Sequence, residues 1–370
     1  MVNISLDSIK RPTLLVDEAI CRENIRWMAE KAARLGVNFR PHFKTHQSKQ
    51  MGRWFREEGI KSITVSSVSM AKYFNEDGWD DITIAFPLNL RESDEIIDLS
   101  DKARLNILVT MAEPLELFSR HKKNSEEPTG VYIKIDTGYN RTGLIPSEIE
   151  EIEKIINTCR QSYSLLFKGF LTHTGHTYNA RCKNEVEMIS KEAFRLLGSL
   201  KAKFDSGPDS LTLSVGDTPA CSLLSNFDGI DEIRPGNFVF FDVMQTVIGS
   251  CEAGRIAVCL ACPVVSKNAT RKEIVVYGGA VHLSKESVFY VDKTIYGFVC
   301  TLSAEGWSEP LYDCYVKSVS QEHGVIKVSN EVFLSIRCGD LLGILPVHSC
   351  LASQCMGNYL INGTLAEAHM

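Results

Sequence analysis

The fold class this sequence predicts is α/β: a TIM-like (β/α)8 barrel followed by a C-terminal all-β domain, and three observations predict it. Eight short apolar runs alternate with helix-patterned segments between residues 38 and 233. The first strand-to-helix turn lacks the GxGxxG fingerprint of a doubly wound open sheet, which is the alternative arrangement. After about Ser250 the helical periodicity stops, and short runs rich in β-branched residues follow one another with turns between them.

Taken in order, 13–16 is a short apolar run, and the N-terminal stretch 1–16 is expected to add a strand to the β domain. Residues 18–35 follow with Ile20, Ile25, Met28, Ala32 and Leu35 at helical spacing and Gly36 as a stop. The barrel is expected over 17–250, with strands near 38–41, 62–66, 81–85, 105–109, 131–136, 168–172, 211–215 and 230–233. Segments such as 146–159 and 184–200 carry helical periodicity between them. The β domain is expected over 251–370, from runs at 256–265, 273–277, 289–291, 311–318, 325–328 and 340–344.

A chain of 370 residues suits two domains, and 44% hydrophobic with 23% charged residues is an ordinary globular composition. A net charge of -6 and a pI near 5.9 argue against nucleic acid as a partner, since a phosphate-backbone binder shows a basic stripe. Residues 1–7 have neither the basic start nor the apolar run of a signal peptide, and no stretch approaches a membrane span of roughly 20 apolar residues. A cytoplasmic protein is expected. The twelve cysteines are scattered through apolar segments, which reads as buried thiols; Cys259 and Cys262 have redox spacing, yet no second pair accompanies them.

In a strand-helix barrel, reactive groups sit at the C-terminal ends of the strands. Lys44, between His42 and His46, follows the first strand. A lysine there can lose its proton near neutral pH through desolvation and neighbouring positive charge, as a covalent catalyst must. Asp136 to Arg141 follows the fifth strand, His173 to Tyr178 the sixth, Gly216-Asp217-Thr218 the seventh and Arg234-Pro235-Gly236-Asn237 the eighth. The Gly216 turn enters a short helix at Pro219, and with Gly236 and Asn237 it makes the phosphate site that barrels build after strands seven and eight.

A lysine, a phosphate cradle and fixed arginines are the parts that hold pyridoxal phosphate. Lys134-Ile135-Asp136-Thr137-Gly138 with Arg141 and Gly143, and Arg234-Pro235-Gly236, resemble motifs of the alanine racemase type of pyridoxal-phosphate fold. Arg40 to His46 resembles the D-serine dehydratase and D-threonine aldolase branch of that fold, and the resemblance spans nearly the whole chain.

The resemblance implies that Lys44 holds the cofactor covalently and moves the Cα proton of the substrate. Arg141 would contact the cofactor's phenolic oxygen, and Gly216, Thr218, Gly236 and Asn237 its phosphate. Either Arg234 or Tyr178 would face the pyridine nitrogen. Phe238 stands where a tyrosine is frequent, and Asp217 puts a carboxylate beside the phosphate loop. Gln321 to Gly324 and Pro346 to Cys350 resemble the pieces this branch places next to its metal, with His348 and Cys350 on one side of an extended segment as the ligands. Imidazole plus thiolate suits Zn²⁺, with Mn²⁺ or Mg²⁺ as alternatives.

The activity implied is that of a lyase on β-hydroxy D-amino acids. D-serine dehydration to pyruvate and ammonia comes first, because dehydratases of this branch carry a cysteine where Cys350 stands and the aldolases a carboxylate. D-threonine cleavage to glycine and acetaldehyde is the alternative. A racemase would need a second base such as His176 or Tyr178 opposite Lys44. A non-catalytic pyridoxal-phosphate carrier is usually a single barrel, so the added β domain counts against it. A homodimer is expected, with a second chain's β domain over the barrel mouth.

Overall fold

The computed structural model describes residues 5–122, 127–205 and 210–369 and divides into two compact units. The barrel unit is made of Met28–Lys44 and Gly52–Gly236; the β unit is made of Met1–Trp27, Thr45–Met51 and Asn237–Met370.

The eight strands of the barrel unit are Asn38–Phe39, Ile63–Val65, Asp81–Pro87, Arg104–Val109, Thr129–Lys134, Leu165–Leu171, Thr212–Val215 and Glu232–Ile233, counted among the described residues. All pair in parallel; each from the third to the eighth pairs with the strand before it, and the first pairs with the eighth. A bridge from His42 to Thr64 joins the first strand's end to the second strand and closes the ring. Leu108, Tyr132 and Leu171, on the fourth to sixth strands, form a buried cluster, and burying a large apolar side chain contributes about 1.5–3 kcal/mol.

The first and last strands are shorter than their apolar runs suggest. Pro41 has no N–H to give the ladder, and Ile230 N–H is used in a turn to Phe227 C=O. The turn segment that follows the first strand is held by Phe43, whose ring lies 4.9 Å from Phe55, 4.9 Å from Phe74 and 5.1 Å from Trp79, centroid to centroid. This aromatic nest fixes the backbone from which Lys44 projects.

In the β unit, Glu273–Tyr277, His323–Lys327, Leu311–Val319, Gly297–Cys300, Leu341–Pro346 and Val258–Asn268 pair side by side, all antiparallel. Val258–Asn268 is long enough to pair with Glu273–Tyr277 as well, so these strands close on themselves and leave few edges. Thr13–Val16 joins Val258–Asn268 antiparallel and Asn358–Ile361 in parallel, and Thr364–Glu367 completes the sheet. Cys259 and Cys262 are buried in Val258–Asn268, where burial raises both thiols well above their ordinary range. Among the described residues all twelve cysteines are unbridged.

One expectation for this unit is corrected. His348 and Cys350 do not lie on an extended segment: His348 is the N-cap residue of the helix Ser349–Met356 and Cys350 lies in its first turn. Leu351, Ala352, Gln354 and Met356 favour a helix, and Gly357 ends it in the left-handed conformation at φ 68°. Among the described residues no helix is long and apolar enough to cross a membrane.

Candidate active site

Within the barrel unit, the loops after strands one, five, six and eight bring Lys44, Arg141, His173 and Arg234 into one electrostatic neighbourhood. His42 accepts the Lys44 backbone N–H on Nδ1 at 3.3 Å. Desolvation, followed by the Lys44 charge, holds both His42 and His173 far below the ordinary imidazole range, so both rings are neutral. His173 Nδ1 faces the Gly216 carbonyl, which only accepts, so this nitrogen carries the proton and Nε2 keeps its lone pair. Lys134 is pushed down to about 8, by burial first and by Arg141 and Arg234 next.

The fifth-strand loop turns back on itself, with a bridge from Ile135 to Leu144. Gly143 is required there: its φ is +127°, and a Cβ would meet the Asp136 backbone nitrogen at 2.8 Å. The loop presents Tyr139 against the His173 and His176 rings, with the Arg141 guanidinium 5.0 Å from the Tyr139 ring centroid.

At the seventh strand, Asp217 turns away from the space above Gly216. It caps the helix Thr218–Leu223 by accepting from Ala220 N–H at 2.8 Å, and it also accepts from the Thr174 and Thr177 hydroxyls. The awkward carboxylate is therefore a cap. Thr218 N–H points to the Tyr178 hydroxyl at 3.3 Å, and the buried Thr218 Oγ1 makes no hydrogen bond among the described residues. No side chain fits at Gly216, where a Cβ would stand 2.9 Å from the Arg234 carbonyl oxygen.

Arg234 is buried and donates to Ser214 Oγ at 2.7 Å and Thr172 C=O at 2.6 Å, and burial lowers its pKa to about 10. Ser214 donates in turn to Glu232 at 2.6 Å, and Glu232 pairs with Arg40 at 2.7 Å. Gly236 ends the barrel unit.

In the β unit, Asn237 donates from its side chain to Asp242 at 2.6 Å and Ser349 at 2.9 Å, so only its backbone is left for an anion. Phe238 is fully buried. His348 hydrogen-bonds Cys350; burial opposes protonation of the ring, but Cys350, Asp242 and Glu286 outweigh it and raise its pKa to about 9. Thr45 Oγ1 lies 3.2 Å from Cys350 Sγ. Among the described residues no group of three or more His, Cys, Asp or Glu side chains is arranged to hold a metal, which leaves His348 and Cys350 as a two-donor set. Glu322, from the Gln321 to Gly324 motif, is 3.8 Å from His282, and His323 begins a strand on the surface.

His46 is completely buried in this unit, and burial pushes its pKa down to about 3. The unfolded chain binds a proton near pH 6.5 that the folded chain refuses until about pH 3, so stability falls as pH drops below about 6.5. By about pH 5 this histidine removes about 2 kcal/mol. Thermal melts between about pH 7.5 and 5 should show the fall, and His46→Gln should flatten it.

Comparison with known proteins places this arrangement. The profile of the alanine racemase N-terminal domain matches residues 16–243, and that of a serine dehydratase domain matches 257–362. D-serine dehydratase of Dictyostelium discoideum is 31% identical over 96% of this chain and 94% of its own. The chain belongs to the D-serine dehydratase family of alanine racemase-like pyridoxal-phosphate enzymes. D-serine dehydratase of Schizosaccharomyces pombe is 27% identical over 97% of this chain and 90% of its own. The structure of D-threo-3-hydroxyaspartate dehydratase from Delftia sp. HT23 superposes with a TM-score of 0.88 at 25% identity, covering 98% of each chain. D-threonine aldolase from Filomicrobium marinum shares the fold, with a TM-score of 0.85 at 18% identity over 100% of this chain and 97% of its own.

Members of this family are pyridoxal-phosphate-dependent lyases. The barrel unit fits that cofactor: Thr218 Oγ1 is buried without a hydrogen-bond partner among the described residues, and Lys44, Lys134, Arg141 and Arg234 supply positive charge for a dianion. His348 and Cys350 fit a borderline-soft metal ion by the chemistry of their donors. Reading the sequence put His173 at the same barrel mouth as Lys44 but gave it no role, and it missed Lys134 as a neighbour of Lys44 and Asp242 and Thr45 as neighbours of the thiol helix. Asp242 carries a signal, since Asp242-x-x-Gln245 has capping-box spacing at a helix start.

Proposed function

We propose that the chain is a D-serine dehydratase converting D-serine to pyruvate and ammonia, with Lys44 as the covalent anchor and base and with Zn²⁺ held by His348 and Cys350. The observation that carries this reading is the pairing of a thiol, rather than a carboxylate, with His348. Pyridoxal phosphate, when bound, supplies an electron sink at Cα, and a metal ion, when bound, supplies a Lewis acid for the β-hydroxyl.

Lys44 Nζ would hold the cofactor and would be the base that accepts the Cα proton. Neutral His42 and His173 keep further positive charge away from that nitrogen. Arg141 would contact the phenolic oxygen, and Gly216, Thr218, Gly236 and Asn237 would hold the phosphate. Tyr178 sits at the Thr218 amide, on the phosphate side, which supports Arg234 as the group facing the pyridine nitrogen. Such an arginine keeps that nitrogen unprotonated. The Cα–H and Cβ–O bonds break, the hydroxyl leaves as water, and hydrolysis of the released unsaturated amine consumes one water, giving pyruvate and ammonia.

Product analysis with D-serine, D-threonine and D-threo-3-hydroxyaspartate tests the assignment. Pyruvate from D-serine, lost on chelation, is expected; glycine and acetaldehyde from D-threonine would make the chain an aldolase, and preference for the hydroxyaspartate would move the substrate. Gly216→Ala is expected to weaken cofactor binding about tenfold or more and to cost about 1–3 kcal/mol, because the Arg234 backbone must shift. Cofactor titration of the apoprotein and a thermal melt check it. A homodimer belongs to the same proposal, and light scattering measures it.

A further inference from the structure

We propose that Asp242 is a positioning residue for the His348 and Cys350 pair, acting through Asn237 and Ser349; the proposal rests on reading that pair as metal ligands. Asp242 is completely buried, and its two oxygens have separate tasks. Oδ1 accepts from Gln245 N–H at 3.0 Å and caps the helix Val243–Ile248. Oδ2 accepts from Asn237 Nδ2 at 2.6 Å, from Ser349 N–H at 2.9 Å and from Ser349 Oγ at 3.2 Å.

A helix cap needs one oxygen. The second oxygen gathers donors that all border Cys350. Ser349 is the residue between the two proposed ligands, and its N–H is one that the start of its own helix leaves without a partner. Asn237 is turned by the same oxygen. A carboxylate only accepts, so the amide must present its NH2 group to Asp242, and that NH2 group also faces Cys350 Sγ at 3.7 Å.

This orientation has a cost, since Asn237 Oδ1 is buried and makes no hydrogen bond among the described residues. Asp242 holds the amide in place against it. Cys350 Sγ then lies 3.7 Å from Asn237 Nδ2 and 3.2 Å from Thr45 Oγ1, and it hydrogen-bonds His348. Partners of this kind outside the ligand set commonly change metal affinity about 10–100-fold.

The test uses cofactor-loaded protein reconstituted with Co²⁺, reading the thiolate-to-cobalt absorption band and the metal dissociation constant by chelator competition. Asp242→Ser keeps a one-oxygen cap and removes Oδ2; Asp242→Asn sets an NH2 group against Ser349 N–H; Ser349→Ala removes one donor. Asp242→Ser and Asp242→Asn are expected to retain pyridoxal phosphate, bind Co²⁺ about 10–100-fold more weakly and show an altered band, with a smaller loss in Ser349→Ala. A folded Asp242→Ser with wild-type affinity and an unchanged band would overturn the proposal. If Asp242→Ser does not fold, wild-type affinity and band in the other two variants overturn it equally. Absence of the band in the wild type would remove the ligand assignment, and the inference with it.

Discussion

Replacing Lys44 by alanine is expected to lower turnover of D-serine by about 10⁴-fold or more, because one nitrogen both anchors the cofactor and takes the Cα proton. Lys44→Arg should not rescue it, since a guanidinium stays protonated and cannot act as the base. The fold should survive, because Phe43 in its aromatic nest fixes the segment. Lys134 is the rival amine: it is buried nearby with its pKa lowered to about 8. Borohydride reduction followed by peptide mapping distinguishes them. The cofactor should be fixed to Lys44 in the wild type and to no peptide in Lys44→Ala; label on Lys134 would move the anchor.

Cys350→Ala, or exhaustive chelation of the wild type, is expected to reduce pyruvate formation by about 10²–10⁴-fold while leaving pyridoxal-phosphate binding intact. The barrel unit's Lys44, Arg141, Thr218 and Arg234 are untouched by that change, and the β unit loses one of two donors. Added Zn²⁺ should restore the chelated wild type but not the variant. Equal pyruvate rates in the variant and wild type would show that the thiol has no part in removing the hydroxyl.

Most of the barrel could be read in the chain because strands covered on both faces are near-continuous apolar runs, as in Leu105 to Val109 and Val131 to Ile133, all of them buried. Lys44, Gly216 and Arg234 could be placed because each follows such a run, where barrel chemistry sits. The segment at Pro346 was harder. The apolar strand Leu341–Pro346 invites an extended reading through Cys350, and the helix that follows is marked only by ordinary helix formers and by Gly357. Gly297–Cys300, Asn358–Ile361 and Thr364–Glu367 are four residues each, too short for a period to emerge. Asp242 and Thr45 meet the thiol helix across 107 and 305 residues of chain, and no local pattern reports such contacts.

The central claim is that Lys44 handles the Cα proton while His348 and Cys350 serve departure of the hydroxyl. The most direct measurement is Cα hydrogen exchange of D-serine in deuterated water, followed by mass spectrometry in Cys350→Ala. The account predicts deuterium at Cα without pyruvate in that variant, and neither product in Lys44→Ala. Pyruvate formed by Cys350→Ala at the wild-type rate, or loss of exchange along with elimination, would contradict it.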